Sequence, residues 1–171
     1  VPAGADAAAI GAERADALVT TARAVALSVR VADCVPVLLA DPESGVVGAA
    51  HAGRVGLLAG VLPATVAALA ELGARTLTAW IGPHVCGACY EVPLELREEF
   101  CGVHPSALAT TSWGTPSIDL GAAADAQLSA LGVTVRRVDP CTRTTSTLHS
   151  FRRDGAASGR QAGLVWLPHL G

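Results

Sequence analysis

An α+β fold with mixed sheets is what this sequence predicts, and three observations carry it. Strand-type and helix-type runs alternate irregularly rather than as a βαβ series, which argues against a simple doubly wound parallel sheet. Two early apolar runs flank Asp41-Pro42-Glu43-Ser44-Gly45, a segment with turn chemistry, and so read as a hairpin. The 171 residues are 51% hydrophobic, which is material for one domain spanning 1–171 with its own buried core.

The elements follow in order. Ala24–Val31 reads as a β-strand, and Val35–Ala40 as a second that Pro36 restricts to a start or an edge. Asp33 and Cys34 sit at their junction. Val46–Ala50 is a third strand ending at His51. Leu57–Leu72 has the length and Ala/Leu content of a helix closed by Gly73, which leaves His51 in a strand-to-helix loop. Thr76–Ile81 is the next strand, and a loop from Pro83 to Val92 leads to a short helix near Leu94–Phe100. Residues 102–116, rich in Ser, Thr, Pro and Gly, read as irregular. Asp119–Leu131 is a helix with Gly132 after it. Strands at Thr134–Val138 and Ala162–Leu167 flank a polar segment, Cys141–Gln161, too long for an ordinary connector.

Composition removes several functions. No apolar run reaches the roughly 18–20 residues that cross a bilayer, and the first residues lack the basic start and apolar core of a signal peptide. A cytoplasmic, membrane-free protein is the expectation. The net charge is −3 and all twelve basic residues are arginine, scattered without a stripe, so nucleic acid is not an expected partner. The absence of lysine excludes Schiff-base chemistry and a P-loop. Five cysteines are too few and too irregular for a secreted disulfide framework. No Met stands at position 1 or elsewhere, so an N-terminal portion upstream of Val1 is expected.

Chemistry concentrates on Cys34 and His51. A hairpin between them brings the end of its second strand back beside the start of its first, where a thiol and an imidazole can meet. Such a pair can hold Zn²⁺ or act as an activated Cys-His nucleophile. Spacing alone also admits a third reading, a small buried hydrophobe beside a loop histidine.

The flanking residues add a resemblance. Ala32-Asp33-Cys34-Val35-Pro36-Val37, followed by His51-Ala52-Gly53, resembles the paired signature of the laccase-domain family, also called multicopper polyphenol oxidase-like or YfiH-like. Ala15–Thr20, Ile81-Gly82-Pro83, Cys89-Tyr90-Glu91-Val92, Asp119-Leu120, Cys141-Thr142, Ser150–Gly155 and Gly159–Gly163 match further pieces in the same order. The resemblance implies a layered α/β/β/α sandwich and a zinc held by two histidines and one cysteine. It implies phosphorolysis of purine nucleosides with phosphate, methylthioadenosine included, and deamination of adenosine. Cys34 matches the cysteine ligand and His51 the second histidine. The first family histidine belongs to a Gln-x-His-Gly-like segment upstream of Ala15–Thr20, and no histidine precedes His51 here. A second departure is Arg54-Val55, where many members carry Trp-Arg.

The remaining candidates take supporting roles. Asp33 is expected to orient His51 or accept a proton. Arg54, Arg152, Arg153 and Arg160 are candidates for phosphate or ribose-phosphate, which guanidinium forks suit, and Glu91 for a substrate contact. Cys86-Gly87-Ala88-Cys89 has the CxxC form without a second CxxC, and reads as two loop thiols near a cleft. Three rivals to the zinc phosphorylase stay open: a copper-dependent phenol oxidase, for which five histidines are few, a Cys34-His51 hydrolase, and a noncatalytic factor in cell-envelope quality control.

Overall fold

The structure, a computed structural model, describes residues 15–169. Among the described residues, nine strands and five α-helices run in the order β1 (Ala17–Thr20), β2 (Leu27–Val31), β3 (Val35–Asp41), β4 (Val46–Ala52), α1 (Arg54–Leu58), α2 (Val61–Glu71), β5 (Thr78–Ile81), α3 (Leu94–Val103), β6 (Leu108–Thr110), β7 (Pro116–Ile118), α4 (Leu120–Ala130), β8 (Thr134–Arg137), α5 (Phe151–Asp154) and β9 (Gln161–Val165). The main sheet has the order β1-β4-β3-β5-β8, antiparallel except for the parallel β5–β8 pair. β2 pairs with β9 and β6 with β7, both antiparallel. The α+β class with mixed sheets is therefore the one observed.

β3 is the centre, and its sequence explains why. Val35, Val37 and Leu39 point to a core built with α1, α2, α3 and α4, where Leu57, Leu62, Leu69, Phe100 and Leu128 are fully buried. Its alternate residues Leu38 and Ala40 face a second core with Val47, Ala49, Leu27, Val29 and Val31, lying between the main sheet and the β2–β9 pair. A strand covered on both faces reads as an unbroken apolar run rather than an alternating one. Helices, main sheet and two-stranded sheet thus form three successive layers among the described residues. Beyond the third, Ser28, Arg30, Ala162 and Leu164 are exposed, so the second helical layer implied by the resemblance is not seen among them.

Local chemistry sets the boundaries. The helix expected over Leu57–Leu72 is two helices, α1 and α2, broken at Gly60, whose φ of 79° lies in the left-handed region. Asp119 caps α4 by accepting from Ala122 N at 2.8 Å. The 102–116 segment, expected irregular, contains β6 and leads into β7, two three-residue strands too short for a sequence signature. Asp41 closes β3 and accepts from Ser44 N and Oγ and from the backbone of Arg75 and Thr76, at 2.6–3.1 Å. Those donors hold its carboxyl well below the usual carboxylate range. No helix of the described residues is long and apolar enough to cross a membrane.

Candidate active site

The β3–β4 register brings Cys34 and His51 together. Val35 pairs with Ala52 and Pro36 with His51, so Cys34, one residue before β3, lies at the open end of the hairpin beside His51. Cys34 Sγ and the His51 ring come together around Gly53. Gly53 leaves the space: a Cβ there would lie 3.2 Å from Cys34 Sγ and 3.6 Å from His51 Nε2. His51 Nδ1 is 3.0 Å from Asp16 Oδ1, and a carboxylate can only accept, so Nδ1 carries a proton and Nε2 is the nitrogen that takes up or gives up the second. The thiol contact first, and Asp16 next, raise His51 to about 9 against the penalty of its partial burial.

Asp33 does something other than expected. Its carboxylate is buried and accepts from Thr142 Oγ1 at 2.6 Å and from Arg152 N at 2.6 Å, while its carbonyl accepts from Val85 N at 3.0 Å. These bonds hold Asp33 at φ 85°, a left-handed conformation costly for a residue with a side chain. Asp33 therefore ties three loops around Cys34, and the partner of His51 is Asp16, which the sequence reading did not single out.

A cavity of about 370 Å³ opens beside the pair, lined by Asp33, Cys34, His51, Tyr90, Arg152 and Arg160 together with Arg30, Val31, Ala32 and Phe151. Arg152 stacks 4.3 Å over the Tyr90 ring and donates from Nη1 to the Glu91 carbonyl at 2.7 Å. Three of the predicted arginine and carboxylate groups lie elsewhere. Arg153 donates to the carbonyls of Thr142, Arg143, Thr145 and Leu148 and pairs with Asp154, so it clasps the loop. The Glu91 carboxylate accepts from Trp113 Nε1 at 3.0 Å. Arg54 starts α1 and does not line the cavity. Arg30 and Phe151, which do line it, were not read as site residues. Arg30 occupies an outward position of β2, where one arginine looks like surface charge.

A second group of side chains gathers nearby. The thiols of Cys86, Cys89 and Cys141 lie within 4.8 Å of one another, the only set of three or more potential metal ligands so placed among the described residues. Burial pushes Cys86 up to about 12. Burial would raise Cys141 as well, but hydrogen bonds from the backbone of Cys86 and Thr144 outweigh it and bring that thiol to about 7.

The family model for multi-copper polyphenol oxidoreductase laccases matches residues 2–168. The chain belongs to this laccase family. A Streptomyces coelicolor relative named purine nucleoside phosphorylase is 57% identical over 157 residues, 90% of this chain. A Corynebacterium glutamicum protein of the same name is 46% identical over 159 residues, 91% of this chain. The chain spans 64% of the length of each. Among solved structures, a Neisseria meningitidis protein superposes with a TM-score of 0.80 at 36% identity, over 99% of this chain and 71% of that one. The Bacillus licheniformis YfiH protein gives 0.79 at 27% identity, over 89% and 61%. Laccase-family membership, and relatives named as nucleoside phosphorylases, agree with the resemblance read from the sequence.

Proposed function

We propose that the cleft beside Cys34 and His51 is a site of purine nucleoside phosphorolysis, taking a purine nucleoside and inorganic phosphate. The observation that carries this reading is the meeting of a thiol–imidazole pair with Arg30, Arg152 and Arg160 in one cavity of about 370 Å³, a volume within the range of small-molecule sites. The names of the relatives support the same reaction. In phosphorolysis a phosphate oxygen bonds to the ribose anomeric carbon as the bond to the base nitrogen breaks, and its electron pair leaves with the base, which takes up a proton. Guanidinium forks suit the phosphate. Tyr90 and Phe151 give the cavity aromatic surface of the kind that suits a base. His51, whose hold on a proton the Cys34 and Asp16 contacts strengthen, can supply the proton.

Zinc is the metal this reading implies, and Cys34 Sγ and His51 Nε2 are donors of the right kind. A catalytic zinc takes three protein ligands and an open position, and no third His, Cys, Asp or Glu groups with this pair among the described residues. The described donor set is one short. When bound, zinc would supply Lewis-acid activation of water or phosphate. The two versions differ in response: a chelator abolishes a zinc reaction and spares one in which His51 alone moves the proton. Adenosine serves as a double probe, giving adenine with phosphate if phosphorolysis occurs and inosine with water if deamination does, and methylthioadenosine tests the breadth of the first.

The test is steady-state kinetics with phosphate varied. Arg152→Ala and Arg160→Ala are expected to raise the KM for phosphate about tenfold or more, since a charged hydrogen bond lost to substrate costs about 1.5–3 kcal/mol. An unchanged phosphate KM in both variants removes the cleft as the phosphate site. Phenol oxidation is the weaker reading, because the histidines of the described residues form no multi-ligand cluster.

A further inference from the structure

We propose that Cys86, Cys89 and Cys141 form a second metal site, distinct from the Cys34–His51 cleft, which takes one soft d¹⁰ cation, Zn²⁺ or Cu(I), on three thiolates. The backbone builds it. Cys89 N and Tyr90 N both donate to the Cys86 carbonyl, at 2.9 and 3.0 Å, which folds the CxxC segment into a turn presenting two thiols. The third comes from far along the chain. A parallel bridge joins His84 to Cys141, Thr142 N donates to the His84 carbonyl at 2.9 Å, and Cys86 N points at Cys141 Sγ at 3.5 Å. Arg143 Nη1 then donates to the Cys89 carbonyl at 3.1 Å, fastening the two segments from the other side.

The distances suit an ion. Sulfurs around a three-coordinate centre with bonds of about 2.3 Å lie about 4 Å apart. The present thiols, all within 4.8 Å and none in a disulfide, need less than about 1 Å of side-chain motion to reach that. The donor set selects the guest. Three sulfurs with no carboxylate or imidazole in the group disfavour Mg²⁺ and Ca²⁺ and favour Zn²⁺ or Cu(I). Cu(I) is content with three thiolates, whereas Zn²⁺ would add a water or other outside ligand as its fourth. Cys89 is buried and Cys86 and Cys141 are half-buried, so entry is from the side of the latter two. Each bound thiol gives its proton to solvent. An ion here would staple the Pro83–Val92 loop, which carries Tyr90, to the segment whose Thr142 holds Asp33, and so would brace one wall of the cleft.

The test uses reduced protein carrying Cys34→Ser and His51→Ala, which silences the cleft pair, titrated with Zn²⁺ and, without oxygen, with Cu(I). The expected result is one equivalent of metal per chain, a shell of three sulfurs by X-ray absorption, joined for Zn²⁺ by one oxygen, and protection of Cys86, Cys89 and Cys141, but not Cys101, from iodoacetamide. Cys141→Ser should lose the bound equivalent; if that variant does not fold, the alkylation pattern of the parent, with its three thiols intact, still decides. Equal alkylation with and without either metal, or an oxygen- and nitrogen-dominated shell, overturns the site. The arm that retains its metal against the stronger competitor identifies the ion. No turnover is read, so this outcome is independent of the phosphorolysis test.

Discussion

Asp16→Asn removes the carboxylate that receives the His51 Nδ1 proton across 3.0 Å while keeping the side chain's size. The two side chains are 60% and 36% exposed, so their contact contributes at most about 1 kcal/mol to folding, and Tm should barely move. The site is more sensitive. Once His51 has given its proton away, an amide can turn its NH₂ to Nδ1 and favour the tautomer with the remaining proton on Nε2. Loss of a group that orients a ligating or catalytic imidazole costs about 10–100-fold, or about 1.4–2.7 kcal/mol in kcat/KM. A second readout is the His51 titration by NMR. Its value, near 9 chiefly through the Cys34 thiol and next through Asp16, should fall in the variant without reaching 6.5, because the thiol remains. A raised histidine value means that the folded state holds the proton more tightly than the unfolded chain. The stability it contributes is full below about 6.5 and is lost as pH rises through about 9, and the variant should lose part of that dependence. A kcat/KM within about twofold of the parent, together with an unmoved His51 titration, would show that Asp16 does not orient His51.

Gly53→Ala should cut activity with little change in Tm, because its Cβ would crowd Cys34 Sγ at 3.2 Å at an ordinary φ of −81°; kinetics beside a thermal melt check this. Gly121→Ala, in contrast, drives a Cβ into the buried His84 ring and should lower Tm sharply in a thermal melt. Phe100→Ala empties a fully buried site among the helices and should cost about 3–5 kcal/mol in denaturant unfolding. Asp41→Asn should lower Tm at neutral pH. A depressed carboxylate stabilises the fold above its unfolded value of 3.8 and loses that contribution as pH falls further, so melts at descending pH should show parent and variant converging in acid.

The central hairpin was legible because β3 and β4 are continuous apolar runs around a turn, and the pairing of Pro36 with His51 follows once the turn is placed. The second partner of His51 was not. Asp16 precedes β1, a four-residue strand that exists through its pairing with β4 and through the bond from His51 N to the Asp16 carbonyl at 2.7 Å. Nothing local marks it. Asp33 beside Cys34 looked like the natural orienting group, yet with its backbone at φ 85° its carboxylate turns to Thr142 and Arg152 instead. Arg152, Arg153 and Arg160 looked alike in sequence. The four-residue α5 separates the first two, sending Arg152 to the cleft and Arg153 to the loop carbonyls. The same gap hid the third thiol: CxxC is visible as a motif, whereas Cys141 joins it only through the bridge to His84.

The most direct measurement of the central claim is ³¹P NMR of the chain incubated with inosine and inorganic phosphate, beside Cys34→Ala. Growth of a ribose 1-phosphate signal with matching hypoxanthine in the parent, and its absence in the variant, is the expected result. Equal ribose 1-phosphate from both proteins, or none from the parent with or without added zinc, would contradict the assignment of phosphorolysis to the Cys34–His51 cleft.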